Sequence, residues 1–129
     1  MSGTFLISVS SDFKDLWRYN IAVVCQCLDA EGEQIEVSSK SSYIAEVGAN
    51  LAESPADLKS HGRVVLSTPP CDKIEALCYL IPHSLPTNKI VEESAPFDLR
   101  ITIEKEGQML YDTTHKVNQW AGASISLKA

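Results

Sequence analysis

The 129-residue sequence is poor in basic side chains. Eleven Lys and Arg residues stand against seventeen Asp and Glu residues, which gives a formal net charge of −6 at pH 7. No segment gathers basic residues into a stripe that could neutralise phosphates, so nucleic acid is not an expected partner. The same deficit disfavours attraction to anionic lipids, apart from a local patch that Lys14 and Arg18 could form with a neighbouring strand.

The sequence also lacks a long apolar run. A helix that crosses a bilayer needs about 20 predominantly apolar residues, and the apolar runs at 21–25 and 76–81 are much shorter. The first residues lead from Met1 straight into the apolar positions Phe5 to Ile7 with no basic stretch before them, which is not typical of a signal peptide. We therefore predict no transmembrane segment and a cytoplasmic location.

Cysteine is scarce, with four residues in the chain. In a reducing compartment, Cys25, Cys27, Cys71 and Cys78 are expected to be free, buried thiols that pack as small hydrophobes. Cys25 and Cys27 form a C-x-C pair inside an apolar strand, whereas zinc ribbons present their ligands as C-x-x-C from tight turns. The sequence therefore predicts no metal site and no cofactor.

Strands are predicted where apolar and polar residues alternate. The clearest case is 97–104, where every second residue from Phe97 to Ile103 is apolar. A turn at Gly107 then leads into a second apolar run at 109–112, which predicts a hairpin. Further strands are predicted at 5–9, 21–28, 34–37, 63–67, 74–81 and 121–127.

Helical signals are weak. A short helix or an irregular crossover fits residues 42–60, and residues 82–96, with three prolines, fit a long connection. Short strands at near-regular intervals with turns between them are typical of two packed sheets. The predicted fold is an all-β antiparallel sandwich of roughly seven or eight strands with at most one short helix, forming one domain over residues 1–129.

Four residues are candidates for a ligand-binding site at one end of the sandwich. Trp17, Tyr19 and Trp120 could offer aromatic surface, and His83 begins the 82–96 connection. Calcium, a lipid head group or a glycan are the ligands considered. The alternative is that the aromatic rings are core, with Trp17 and Tyr19 on one face of a strand, and that His83 occupies an ordinary surface loop.

An acidic turn is a second place to consider calcium. Asp29, Glu31 and Glu33 alternate as hard oxygen ligands would, but the ladder and terminal Glu of an EF-hand loop are missing. A solvated hairpin tip is therefore the expected role of this turn.

Catalysis has little support in the sequence. The histidines His61, His83 and His115 have no motif around them. If the protein were an enzyme, its catalytic group would come from His61, Cys71, His83 or Asp112. Cys71 follows two prolines and precedes Asp72, with no cationic neighbour to lower its pKa. The sequence predicts that the protein is not an enzyme.

The order of predicted strands resembles that of the TerD-type tellurium-resistance proteins, which are C2-like sandwiches. The segments that carry the resemblance are 20–29 with its Asp29–Gly32 turn, 62–81, and 97–112 with its Glu106–Gly107 turn. Members of that family bind calcium through acidic clusters. The position of the first cluster reads Tyr19-Asn20-Ile21-Ala22 here, without carboxylates. The resemblance therefore implies the fold and transfers neither the calcium function nor any residue role.

These observations favour a non-enzymatic module that works by binding. A protein is the expected partner, and self-association through a sheet edge is one form this could take. The alternative is the ligand-binding sandwich with its site at one end of the sheets.

Overall fold

A computed structural model gives a sandwich of two antiparallel four-stranded sheets. It describes residues 3–13, 16–42, 63–84 and 96–129. Within these ranges the strands are β1 (Phe5–Ser10), β2 (Tyr19–Leu28), β3 (Gln34–Ser42), β4 (Arg63–Ser67), β5 (Lys73–Pro82), β6 (Phe97–Lys105), β7 (Gln108–Val117) and β8 (Ala123–Lys128). One turn of 3-10 helix, Leu16–Arg18, precedes β2. The predicted all-β antiparallel sandwich is confirmed.

The strands divide between the sheets in a way that mixes distant parts of the chain. The first sheet has the order β4-β1-β6-β7 and the second sheet the order β3-β2-β5-β8. Each neighbouring pair is antiparallel. In the described residues no helix is long and apolar enough to cross a membrane.

The core lies between the two sheets and is built from alternate residues of the central strands. Side chains in a strand point alternately to the two faces, so the pleat buries every second residue of β1, β2, β5 and β6. The fully buried members include Phe5, Ile7, Val9, Ile21, Val23, Ile74, Leu80, Leu99, Ile101 and Ile103. Each buried side chain of this size contributes about 1.5–3 kcal/mol, so these central strands hold the sandwich together.

The predicted hairpin around Gly107 is confirmed. Glu106 and Gly107 both have positive φ, 49° and 82°, as a two-residue turn with the favoured twist requires. The edge strands β3 and β7 are longer than the predicted strands at 34–37 and 109–112. Their distal halves are rich in Ser, Thr and Lys and show no apolar alternation, so the sequence pattern did not indicate them. Backbone pairing with β2 and β6 holds these polar halves in place. The predicted helix or crossover within 42–60 falls almost wholly outside the described residues.

The turn before β8 depends on Gly122. The side chain of Asn118 accepts hydrogen bonds from the backbone N–H groups of Trp120 and Ala121, and Gly122 N–H donates to the Asn118 carbonyl at 2.9 Å. Gly122 has φ of +71°, and a Cβ there would lie 2.1 Å from the carbonyl oxygen of Leu80. A side chain at this position would therefore push β8 away from β5.

We expect Gly122→Ala to lower the free energy of unfolding by about 3–5 kcal/mol, because backbone strain and a clash with fixed backbone add together. Gly107→Ala is the matched control, since Gly107 also has positive φ but has open space around its Cα. That control should cost only the left-handed strain of about 1–2 kcal/mol. Urea denaturation of both variants measures the difference, and equal losses would contradict the proposed contact with β5.

Candidate functional site

The four predicted ligand-binding residues lie at the end of the sandwich where β2 begins and β5 ends. His83 Nε2 lies 2.7 Å from the carbonyl oxygen of Trp17, and the Tyr19 hydroxyl donates to the carbonyl oxygen of Gln119 at 2.6 Å. Trp120 follows Gln119 in the turn before β8. We call Trp17, Arg18, Tyr19, His83, Gln119 and Trp120 the end cluster.

The predicted common strand face for Trp17 and Tyr19 is wrong. Trp17 lies in the 3-10 turn, half-buried, and only Tyr19 belongs to β2. Tyr19 is fully buried on the core side, and its ring lies 5.4 Å from the ring of Phe97. In this turn Leu16 and Arg18 are buried, and Trp17 between them does not share a strand face with Tyr19.

Arg18 is buried in the end cluster and is only 1% exposed. Its guanidinium carbon lies 5.6 Å from the centroid of the Phe13 ring and 5.9 Å from that of Tyr19, and its Nη2 donates to Gln119 Oε1 at 2.8 Å. Ring faces and an amide oxygen partly replace the water that a buried cation loses. The idea that Arg18 forms a basic surface patch is therefore wrong.

His83 is also buried, which corrects its expected place in a surface loop. A carbonyl oxygen can only accept, so Nε2 carries the proton that bonds to Trp17, and Nδ1 accepts from the Ser84 hydroxyl at 2.8 Å. The His83 backbone N–H donates to the Arg18 carbonyl at 2.9 Å. His83 thus fastens the end of β5 to the turn before β2.

Burial lowers the pKa of His83 below its usual 6.5. As pH falls through 6.5, the unfolded chain binds a proton before the folded chain does. The stability contributed by neutral His83 is therefore present above pH 6.5 and is lost as pH falls toward the lower folded pKa. We expect the free energy of unfolding to decrease between pH 7 and about pH 5, and to decrease less in His83→Gln. Urea midpoints across this range measure it, with His115→Gln as control. Equal pH slopes in wild type and His83→Gln would contradict the prediction.

The polar atoms of the end cluster are largely committed to contacts within the protein. The indole N–H of Trp120 is buried and has no hydrogen-bond partner among the described residues. The proposed ligand-binding role of Trp17, Tyr19, His83 and Trp120 stays a prediction, and most of the 82–96 connection that would complete such a site lies outside the described residues.

The four cysteines are free and buried, as the apolar context of two of them predicts. Burial raises the pKa of Cys25 to about 12, and the nearby Cys27 thiol adds to this effect. Burial alone raises the pKa of Cys78 to about 12. Among the described residues no group of three or more His, Cys, Asp or Glu side chains could hold a metal ion.

The acidic turn uses Asp29 to shape itself. Asp29 Oδ1 accepts hydrogen bonds from the backbone N–H groups of Glu31 at 3.0 Å and Glu33 at 2.9 Å. Gly32 completes the turn with φ of +85°. The Glu31 and Glu33 side chains are exposed, so the geometry agrees with a solvated hairpin tip.

The residues considered for catalysis lie apart, in so far as the structure describes them. Asp112 is on the outer face of the first sheet, where Arg100 binds both carboxylate oxygens at 2.9 and 2.7 Å and lowers the pKa of Asp112 by that hydrogen bond. His83 is in the end cluster, and Cys71 precedes β5 with a pKa that burial raises. His61 lies outside the described residues.

The outer face of the second sheet carries an apolar centre. Val24 of β2 pairs with Leu77 of β5, and in the next outward row Ala22 pairs with Tyr79. On both sides the edge strands place serines beside these residues. The serines are Ser39 and Ser41 on β3, and Ser124 and Ser126 on β8. We call these residues, with Val37 and Ile81, the serine-flanked face.

Large apolar side chains are exposed on this face, as are Ile35 of β3 and Met109 and Leu110 of β7 among the described residues. Leu77 is 38% exposed, Ile81 40% and Val37 47%. A shallow depression of about 140 Å³ lies over Val24 and Leu77, and the ion pair between Lys128 Nζ and Glu75 Oε1, at 3.7 Å, stands beside it. The second sheet therefore presents an open apolar strip with a charged pair at one end.

The outer face of the first sheet is different in chemistry. Arg100 pairs with Asp112 there, and Lys116 pairs with Asp98 across β6 and β7. Thr102 of β6 pairs with Asp112 of β7, so both lie on this outer face. Met109, paired with Glu104, is also exposed there, so this face combines ion pairs with an exposed apolar side chain.

The serine-flanked face was not predicted, although a signal for it exists in the sequence. From Ala76 onward, residues 74–81 are apolar on both faces of the predicted strand, a pattern typical of a strand buried on both sides. The structure confirms the strand but exposes Leu77 and Ile81. In a two-layer sandwich, a strand with two apolar faces can also have an outer face that another molecule covers.

Comparisons with known proteins identify no family. No protein-family model matches the chain, and no curated protein matches it. A domain of unknown function, DUF4425, from Bacteroides vulgatus ATCC 8482 is similar in structure, with a TM-score of 0.53, 10% identity, and coverage of 99% of this chain and 94% of its own. A DUF4425 family protein from Bacteroides ovatus ATCC 8483 has a TM-score of 0.49 and 8% identity, and covers 100% and 95%. At 10% identity the first likeness concerns the fold alone.

Proposed function

We propose that this chain is a non-enzymatic, cytoplasmic β-sandwich module that binds another protein through the serine-flanked face. The observation that carries the proposal is an aliphatic strip on the two central strands of a four-stranded sheet, in which Leu77 and Ile81 are exposed and Val24 is half-buried. Contiguous apolar surface rimmed by polar groups marks interaction sites in proteins. The free thiols are consistent with a reducing compartment.

The anatomy of the face suits a protein partner. Interfaces have an apolar centre and a rim that offers hydrogen bonds, and here Leu77 and Tyr79 form the centre while hydroxyls such as Ser39 and Ser126 form the rim. Covering apolar surface contributes about 25 cal/mol per Å². A flat partner surface could therefore gain affinity from the strip without deep insertion.

Other classes of partner have less support. A glycan-binding sheet uses aromatic rings as platforms, and this face has Tyr79 as its one aromatic side chain. A net charge of −6 disfavours nucleic acid and anionic lipid. The calcium chemistry of the TerD-type proteins would need carboxylates, and the Asp29 carboxylate already accepts two backbone hydrogen bonds.

The face is also a better candidate than a sheet edge for self-association. On β3, Glu36 and Lys40 lie opposite Cys27 and Val23 and so share their core-facing side. Inward-pointing charges on an edge strand oppose the addition of another strand. On the other sheet, the pairing of β7 with β6 is interrupted by a register shift between Ile103 and Glu104, which also disfavours edge pairing.

A photo-crosslinking amino acid placed at Leu77 should capture the partner in cells, whereas the same amino acid at Thr102 on the first sheet should not. Once the captured protein is purified, Leu77→Asp should weaken its binding at least about tenfold, because an aliphatic contact is lost and a charge must be desolvated. Thr102→Asp is the matched control and should bind as the wild type does. Titration calorimetry measures both affinities.

Three results would contradict the proposal. Equal crosslinking from positions 77 and 102 would show that capture is not specific to the face. Unchanged affinity in Leu77→Asp would place the contact elsewhere. A crosslinked band at twice the mass of this chain would identify the partner as a second copy, and the hetero-partner version of the proposal would then be abandoned.

A further inference from the structure

Three of the four thiols converge at the end of the sandwich opposite the end cluster. Cys25 and Cys27 are two residues apart on β2, so the pleat directs both into the core, and both are 0% exposed. The Cys27 thiol interacts with the thiols of Cys25 and Cys71. Cys78 lies opposite Val23 on the same sheet and interacts with none of these thiols.

The backbone brings Cys71 to this place. Asp72 N–H donates to the Leu28 carbonyl at 2.9 Å, which sets the residues just before β5 against the end of β2. Cys71 also exchanges both backbone hydrogen bonds with Gly3, at 2.9 and 3.0 Å. These hydrogen bonds fix Cys71 at the point where the chain crosses from the first sheet to the second. Cys27, the second of the two cysteines on β2, lies next to this point.

We propose that Cys27 and Cys71 are a latent disulfide pair, which closes under oxidation and ties the crossover between the sheets to β2. The bond would enclose residues 28–70. Cys25, the third thiol of the group, shares a strand with Cys27, and two residues on one extended strand are held too far apart for an unstrained disulfide. Cys71 approaches Cys27 from another segment of the chain.

The reaction is a two-step exchange with a small disulfide such as oxidised glutathione. The Cys71 thiolate attacks the reagent and releases one thiol, which leaves a mixed disulfide on Cys71. The Cys27 thiolate then attacks the Cys71 sulfur and releases the second thiol. One S–S bond breaks and one forms, the protein loses two protons and two electrons, and the released thiols carry both away.

Cys71 is the expected point of first attack because a single bridge to Gly3 holds it, whereas Cys27 lies within the continuous ladder of β2 and β5, so local opening exposes Cys71 more readily. Burial raises the pKa of Cys71, with Cys27 adding to the effect. The thiolate fraction at neutral pH is therefore small, and oxidation should be slow at pH 7 and faster at pH 8.5.

The test is native oxidation of the full chain with oxidised glutathione at pH 8.5, followed by intact mass measurement and non-reducing tryptic mapping. Cleavage after Lys and Arg puts Cys25 and Cys27 in peptide 19–40, Cys71 in peptide 64–73 and Cys78 in peptide 74–89. We expect the mass of two hydrogens to be lost and peptides 19–40 and 64–73 to be joined. The melting temperature should rise by about 10 °C and return to its starting value after reduction.

Matched variants assign the bond within the joined peptides. Cys27→Ala and Cys71→Ala should abolish the mass loss and the rise in melting temperature, while Cys25→Ala and Cys78→Ala should keep both. Circular dichroism confirms that each variant is folded before oxidation. A stable glutathione adduct without closure, a bond confined to peptide 19–40, a bond to peptide 74–89, or no reaction in the folded protein would each overturn the proposal.

Discussion

The pairing of β2 with β5 is the constraint on which the other features of this sandwich depend. The two strands run antiparallel over their full ten-residue lengths, from Tyr19 opposite Pro82 to Leu28 opposite Lys73. Because the side-chain period of a strand is two residues, this single register sends Cys25 and Cys27 inward and Val24 and Leu77 outward. A slip by one residue would exchange the faces and expose the core.

The ladder of β2 and β5 also determines which residues lie at each end of the molecule, and the two ends differ in chemistry. At one end it stops at Tyr19 and Pro82, which places Arg18 and His83 where ring faces and carbonyl oxygens can replace lost water. At the other end it stops at Leu28, where the chain returns from the first sheet through Cys71. One end is thus a polar network and the other a group of thiols, although both cap the same core.

Much of the fold follows from alternation in the sequence, and most of the site does not. The strand at Phe97 to Ile103 and the turn at Gly107 are visible as local patterns, because a half-buried strand and a left-handed turn each restrict residue type. The burial of Arg18 and His83 depends on Phe13 and Trp17, and no local pattern records such contacts. The exposure of Leu77 could not be predicted either. An apolar residue on a strand gives the same sequence pattern whether or not another layer of the chain covers it.

The placement of β1 has a consequence for how the chain acquires its structure during synthesis. β1 lies between β4 and β6, and Phe5 is paired with Lys105. The apolar strand β1 is therefore synthesised well before its second neighbour, β6, exists. Such non-local pairing makes folding slow, on the order of milliseconds to seconds, and an apolar strand that waits for its partner is prone to aggregation in the meantime.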